Sequence, residues 1–200
     1  MIYQILYSLI LLSFSVAQVF SDYSYSTSET SSMAGSVVAN KGGTWSLFNN
    51  PGSLVEVRNK TVSFGYSNLY DQTYLPLTSL GLNFPFSEKL NFGLKYISLK
   101  VDYKGVDLSN EEMFGLVVSK YLLRDKNSTL SIGFSINSYS VDFGKSAGSG
   151  DGTNGIKSES LSAYGLDIGI LASLREKNRI GVFIKNINSS EIGIGTSNQS

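Results

Sequence analysis

Serine is plentiful in this 200-residue chain, and a nucleophilic serine needs a base to take its proton. The sequence has no histidine to serve as that base and no cysteine to replace the nucleophile. Hydrolase and thiol chemistry are therefore not expected, disulfides are excluded within these residues, and the commonest metal ligand is missing. The best oxygen ligands for a hard cation are Asp142, Asp151, Asn154 and Glu159, in or beside a glycine-rich stretch. Their spacing is neither that of an EF-hand nor of a repeat, and they read as a solvated loop. "GSGDGTNGIK" (148–157) lacks the spacing of a phosphate loop and precedes a strand rather than a helix. Asn-x-Ser/Thr triplets at Asn59, Asn127 and Asn188 are what chance supplies in a chain rich in these residues. Lys+Arg and Asp+Glu both number 16, so no basic surface for nucleic acid is expected. No catalytic, cofactor or metal residue is assigned. Two charges remain suggestive, Lys95 and Asp167, because each interrupts an apolar alternation on its small, polar parity.

That alternation is the main signal. In "STLSIGFSINSYS", Leu130, Ile132, Phe134 and Ile136 share one face, while Thr129, Ser131, Gly133, Ser135 and Asn137 share the other. In "AYGLDIGILASL", Tyr164, Leu166, Ile168, Ile170, Ala172 and Leu174 oppose Gly165, Asp167, Gly169, Leu171 and Ser173. "LNFGLKY" and "RIGVFIK" repeat the pattern. Period two is the strand period. Seven strands are expected, over about 60–68, 74–84, 90–101, 111–122, 128–140, 161–174 and 178–186. Charged residues make up 16%, against roughly 25% in soluble domains. Twenty glycines, 12 tyrosines and 11 phenylalanines suit an all-β chain.

Several strands reach the ~9–11 residues that a tilted strand needs to cross a bilayer. The links "PFSEK", "RDKN" and "REKN" are short and charged, and alternate with the longer 101–110 and 141–160. Short and long links on opposite ends are the habit of a membrane barrel. The fold expected is an all-β transmembrane antiparallel barrel in the bacterial outer membrane, with lipid as its first partner. A soluble sandwich is the competing architecture. Strand-end aromatics Tyr70, Tyr74, Phe84, Phe86, Tyr103, Phe114, Tyr121, Tyr139 and Tyr164 would supply the interfacial girdles. Lys95, Asn137 and Asp167 fall on the polar parity and would line the interior. A membrane barrel tolerates no open edge, so 60–200 reads as the first half of a longer barrel.

Ahead of the strands, residues 1–17 carry an apolar run from Ile5 to Val16 and a Ser-Val-Ala exit, the pattern of a secretory signal peptide, although no Lys or Arg precedes the run. Residues 18–59 do not alternate. Asn50-Pro51-Gly52 is a turn signal, since proline fixes its own φ and excludes the helical region for the residue before it. Trp45, Leu47, Phe48 and Leu54 around it look buried, which favours insertion of 18–59 into the barrel as a hatch.

"SSMAGSVVANKGGTWSLFNNPGSL" followed by "VSFGYSNLY" resembles the start of the PorV/PorQ family, relatives of the FadL-type long-chain fatty acid transporters. That family has a small-residue stretch, an aromatic, Asn-Pro-Ala-Gly-Leu and then the first barrel strand. Asn50, Pro51 and Leu54 match the motif, while Gly52 and Ser53 replace its Ala-Gly. The resemblance covers about 31–186 and is specific only in the hatch segment. It implies a fourteen-stranded barrel with an N-terminal hatch, here Trp45, Phe48, Asn50, Pro51, Gly52 and Leu54; the missing histidine separately argues against an enzyme. It also implies a role as carrier of proteins secreted by the type IX system, or alternatively a FadL-like channel for small hydrophobic molecules.

Overall fold

The computed structural model describes residues 27–144, 159–175 and 177–188. The expected signal peptide 1–17, Asp151, Asn154, the side chain of Glu159 and the tail beyond 188 lie outside the described residues. Seven strands form: β1 Thr61–Asn68, β2 Pro76–Ser87, β3 Leu90–Tyr103, β4 Val106–Arg124, β5 Ser128–Phe143, β6 Glu159–Leu174 and β7 Asn178–Ile184. They pair antiparallel in sequence order as one sheet, curled into a half-barrel. Each expected strand is present, because each carries a period-two run, shifted by irregularities at Pro85/Ser87, Val101/Asp102 and Tyr121/Leu123 near strand ends.

One expected loop is not a loop. The sequence predicts a long link over 101–110, but β3 and β4 continue through these residues and meet at Lys104-Gly105. Both turn residues have positive φ, +53° and +77°. Positive φ at both central positions is the two-residue hairpin geometry that matches strand twist. Lysine at the first position hid a turn that asparagine or aspartate would have announced.

The alternation sorts the two faces. Even-numbered residues point to the convex face, where Phe64, Phe92, Phe134, Ile136, Leu166, Ile180 and Val182 are exposed. Odd-numbered residues point to the concave face, where Ser79, Asn83, Asn91, Lys95, Ser119, Ser131, Ser135, Asn137 and Asp167 are buried. Bulky apolar side chains cover the outside, which a water-soluble sandwich would keep polar, while the inside joins these polar residues to a buried apolar cluster. Two girdle expectations fail for this reason: Tyr121 and Tyr139 have odd parity and are buried on the concave face.

The convex apolar run also drifts diagonally. It centres on Phe64 in β1 and on Val182 in β7. The register row through Phe64 crosses β3 at Tyr96. The row through Val182 passes Ile170, Ile132 and Lys120 and crosses β3 at Leu90. The centre therefore shifts six residues, 96 − 90, across the six steps from β1 to β7. One residue (~3.3 Å) per strand spacing (~4.8 Å) is a slope of about 35°. Strands tilted by that angle would carry this run as a level belt.

The concave face is covered by the N-terminal segment. It forms α1 (Ser28–Ser32), capped by Thr27, whose hydroxyl accepts from the Thr30 amide at 3.1 Å, then α2 (Ser46–Asn49) and a 3-10 segment Pro51–Glu56. Proline at the first position of that last segment loses nothing, because its missing N–H would have had no helical partner.

Candidate functional site

The turn at Asn50 is the centre of the contact between segment and sheet. The Asn50 side chain is wholly buried. Its Nδ2 donates to the carbonyls of Val38 (2.7 Å) and Ile170 (3.1 Å), and its Oδ1 accepts from the Gly52 amide (2.8 Å). The Asn50 carbonyl accepts from the amide of Ser53 (2.9 Å) and from its hydroxyl (2.8 Å). One side chain thus closes its own turn and ties it to β6.

Pro51 and Gly52 lie in a notch between β5 and β6. Gly133 and Gly169 face each other across these strands. A Cβ on Gly133 would fall 2.2 Å from the Pro51 carbonyl, and one on Gly169 2.1 Å from Asn50 Oδ1. Only hydrogen fits at either place, so the glycine pair is a requirement of backbone approach. Beside the notch, Ser131 and Ser119 donate to the Gly52 carbonyl at 2.7 and 3.2 Å. Further along, Asn91 Nδ2 donates to the carbonyls of Leu54 (2.8 Å) and Val57 (2.6 Å), and Asn83 Nδ2 donates to that of Asn59 (2.9 Å). The Leu54 carbonyl already accepts from the Val57 amide (3.0 Å), and these asparagines hold the end of the 3-10 segment and the chain beyond it to β2 and β3.

Above this polar seat, toward the β3–β4 hairpin, the interior turns apolar. Trp45, Leu47, Phe48, Leu54 and Val57 of the segment pack with Leu77, Ile97, Leu99, Met113, Val117 and Tyr139. Trp45 and Phe48 meet at 5.6 Å between ring centres. Leu47 presses onto Gly93, where a Cβ would stand 2.1 Å from one of its methyls.

Lys95, Asn137 and Asp167 are brought together beside the seat. Asp167 Oδ2 accepts from Asn137 Nδ2 (2.7 Å) and Ser135 Oγ (3.1 Å) and pairs with Lys95 Nζ (3.5 Å), while Oδ1 accepts from the Asn186 amide (3.0 Å). Lys95 is on β3 and Asp167 on β6, about 14 Å apart along a flat sheet at ~4.8 Å per strand. Their side chains together are shorter than that. The pair is a chord across the curl, and the lysine stem passes over Gly115, where a Cβ would be 2.6 Å from its Cε.

At the short-turn end, Glu56 pairs with Lys41 at 3.5 Å and accepts from Thr129 at 3.3 Å. Among the described residues no three acidic, histidine or cysteine side chains group to hold a metal ion. Of the expected hatch residues, Trp45, Phe48, Asn50, Pro51, Gly52 and Leu54 are all buried. The sheet residues that receive them, Asn83, Asn91, Ser119, Ser131, Gly133 and Gly169, were not singled out from sequence. Their signal was present as Asn, Ser and Gly on the polar parity of apolar strands. No family model, no characterised protein and no solved structure matches the chain.

Proposed function

We propose that this chain is an outer-membrane β-barrel protein of the PorV/PorQ type, with its convex face in lipid and residues 27–59 as its hatch. We further propose that it serves protein secretion and surface attachment as a carrier associated with the type IX system. The observation that carries the membrane part is the diagonal apolar belt, whose slope of about 35° falls within the ~35–45° tilt of membrane barrel strands. Two further features favour the carrier role. The hatch is tied down by hydrogen bonds with six strands, β1 to β6, which suits a standing closure better than a conduit. The β3–β4 hairpin extends past the belt, carrying the exposed Lys100–Asp107 pair (3.1 Å) with exposed Val106 and Leu108, a surface suited to protein contact.

The second reading is FadL-like uptake of small hydrophobic molecules. It is favoured by the apolar interior between Trp45, Leu47 and the strands. Fractionation tests the membrane part first: recovery in the aqueous phase ends both readings. A pull-down from detergent-solubilised membranes then separates them. Co-purifying secreted proteins support the carrier, and a bound apolar molecule in their place supports uptake.

A further inference from the structure

One cation on the convex face belongs neither to the hatch nor to the apolar belt. Lys120 points outward from β4 between Val118 and Leu122, and its register partners on either side are Leu90 and Ile132. Four apolar outward residues therefore surround its stem. Among the described residues its ammonium has no carboxylate within ion-pair distance. A lysine facing lipid costs about 2–4 kcal/mol at mid-bilayer and about 0–1 near the interface. Lys120 lies toward the short-turn end of β4, with Leu122 and Leu123 still exposed beyond it. Its long stem can carry the charge to the headgroups on that side.

On the other side of Lys120, toward the middle of the belt, the convex face holds an apolar groove of about 430 Å³. Phe84, Phe92, Leu94, Leu116, Phe134 and Ile136 line it, and Val118, the outward neighbour of Lys120, closes its near end. Phe86 stacks edge-on against Phe92 at 5.8 Å and stiffens one wall. A cation toward the short-turn end and an apolar groove beside it, nearer the middle of the belt, match the two ends of one molecule in chemistry and order along the strand.

We propose that Lys120 and this groove form a site for a single phospholipid of the leaflet on the short-turn side, with its phosphate on Lys120 and one acyl chain in the groove. The proposal rests on the membrane reading above. The Lys120 ammonium supplies a charge-assisted hydrogen bond to a phosphate oxygen in a medium of low dielectric, where such a bond is strong. The groove's apolar lining suits an acyl chain and offers a headgroup no polar partner.

Native mass spectrometry of the full chain, extracted from membranes in mild detergent, tests this. The wild type is expected to retain one phospholipid per chain. Lys120→Gln is expected to lower retention about tenfold, equivalent to about 1.4 kcal/mol, and Lys120→Arg to preserve it. Leu116→Trp, which fills the groove and leaves the lysine, is expected to lose the lipid as well. Delipidated wild type is then titrated with phosphatidylglycerol and with a diacylglycerol of the same chains, and only the first is expected to bind. Equal retention by wild type and Lys120→Gln, equal binding of the two probes, or retention of lipopolysaccharide alone overturns the site. If Lys120→Gln fails to fold, the contrast between Lys120→Arg and Leu116→Trp decides. Wild type recovered from membranes with no lipid sinks this proposal only, whereas wild type recovered from the aqueous phase sinks the membrane reading itself.

Discussion

The two faces of the sheet are built from alternate residues of the same strands and follow opposite rules. The convex face is bulky, apolar and without specific partners beyond its neighbours: Phe134 and Ile136 are exposed at 44% and 55%. The concave face is buried and specifically packed, polar around the Asn50 turn and apolar toward the β3–β4 hairpin: Ser135 and Asn137 between and beside them are exposed at 1% and 0% and hydrogen-bond to Asp167. On the membrane reading proposed above, any apolar side chain satisfies the requirement on one face, because lipid asks only for low polarity. On the other, many residues answer a particular atom, and at Gly93, Gly115, Gly133 and Gly169 even an added methyl group has nowhere to go. Tolerance to substitution should therefore alternate along a single strand.

The strongest challenge to this contrast is at Asp167. Asp167→Ala leaves Lys95 buried and unpaired and should cost about 3–5 kcal/mol, read as a lower midpoint in urea unfolding of the detergent-solubilised chain. The double variant Lys95→Met/Asp167→Leu should recover much of the loss. Failure to recover would mean that the charges do more than neutralise each other. Next, Leu47→Ala should cost about 3 kcal/mol, since Leu47 is fully buried against Gly93. Asn50→Ala strands the Gly52 amide and the carbonyls of Val38 and Ile170, and should cost about 2 kcal/mol. It should also open the segment to added protease, which a simple loss of packing elsewhere would not do. The smallest effect is expected at Phe134→Leu, within about 0.5 kcal/mol. A cost there as large as that at Leu47 would show the convex face to be a packed core and break the comparison.

Much of this was legible because strands announce themselves by parity. The seven strands, the polar parity of Lys95, Asn137 and Asp167, and the buried character of Trp45, Leu47, Phe48 and Leu54 follow from single-residue chemistry and period two. What parity does not hold is register. That Gly133 faces Gly169, and that Lys95 reaches Asp167 over two intervening strands, depends on which residues stand opposite each other. The helical turns of 28–32, 46–49 and 51–56 are each too short to complete a readable period. Tyr121 and Tyr139 were misassigned to girdles by residue type, although their odd numbers already placed them with the serines. Residue type suggested the interface, while position along the strand decided the side.

The bond from Asn50 to the carbonyl of Ile170 joins points 120 residues apart in the chain. A stretch made before all seven strands therefore has its final partner only after β6 has been made and has taken its place beside β5. Until then Trp45, Leu47, Phe48 and Leu54 have no complete surface to cover them, and closing so long a loop is slow. An escort that holds this stretch extended, and releases it late, would solve a problem of timing that the finished architecture conceals.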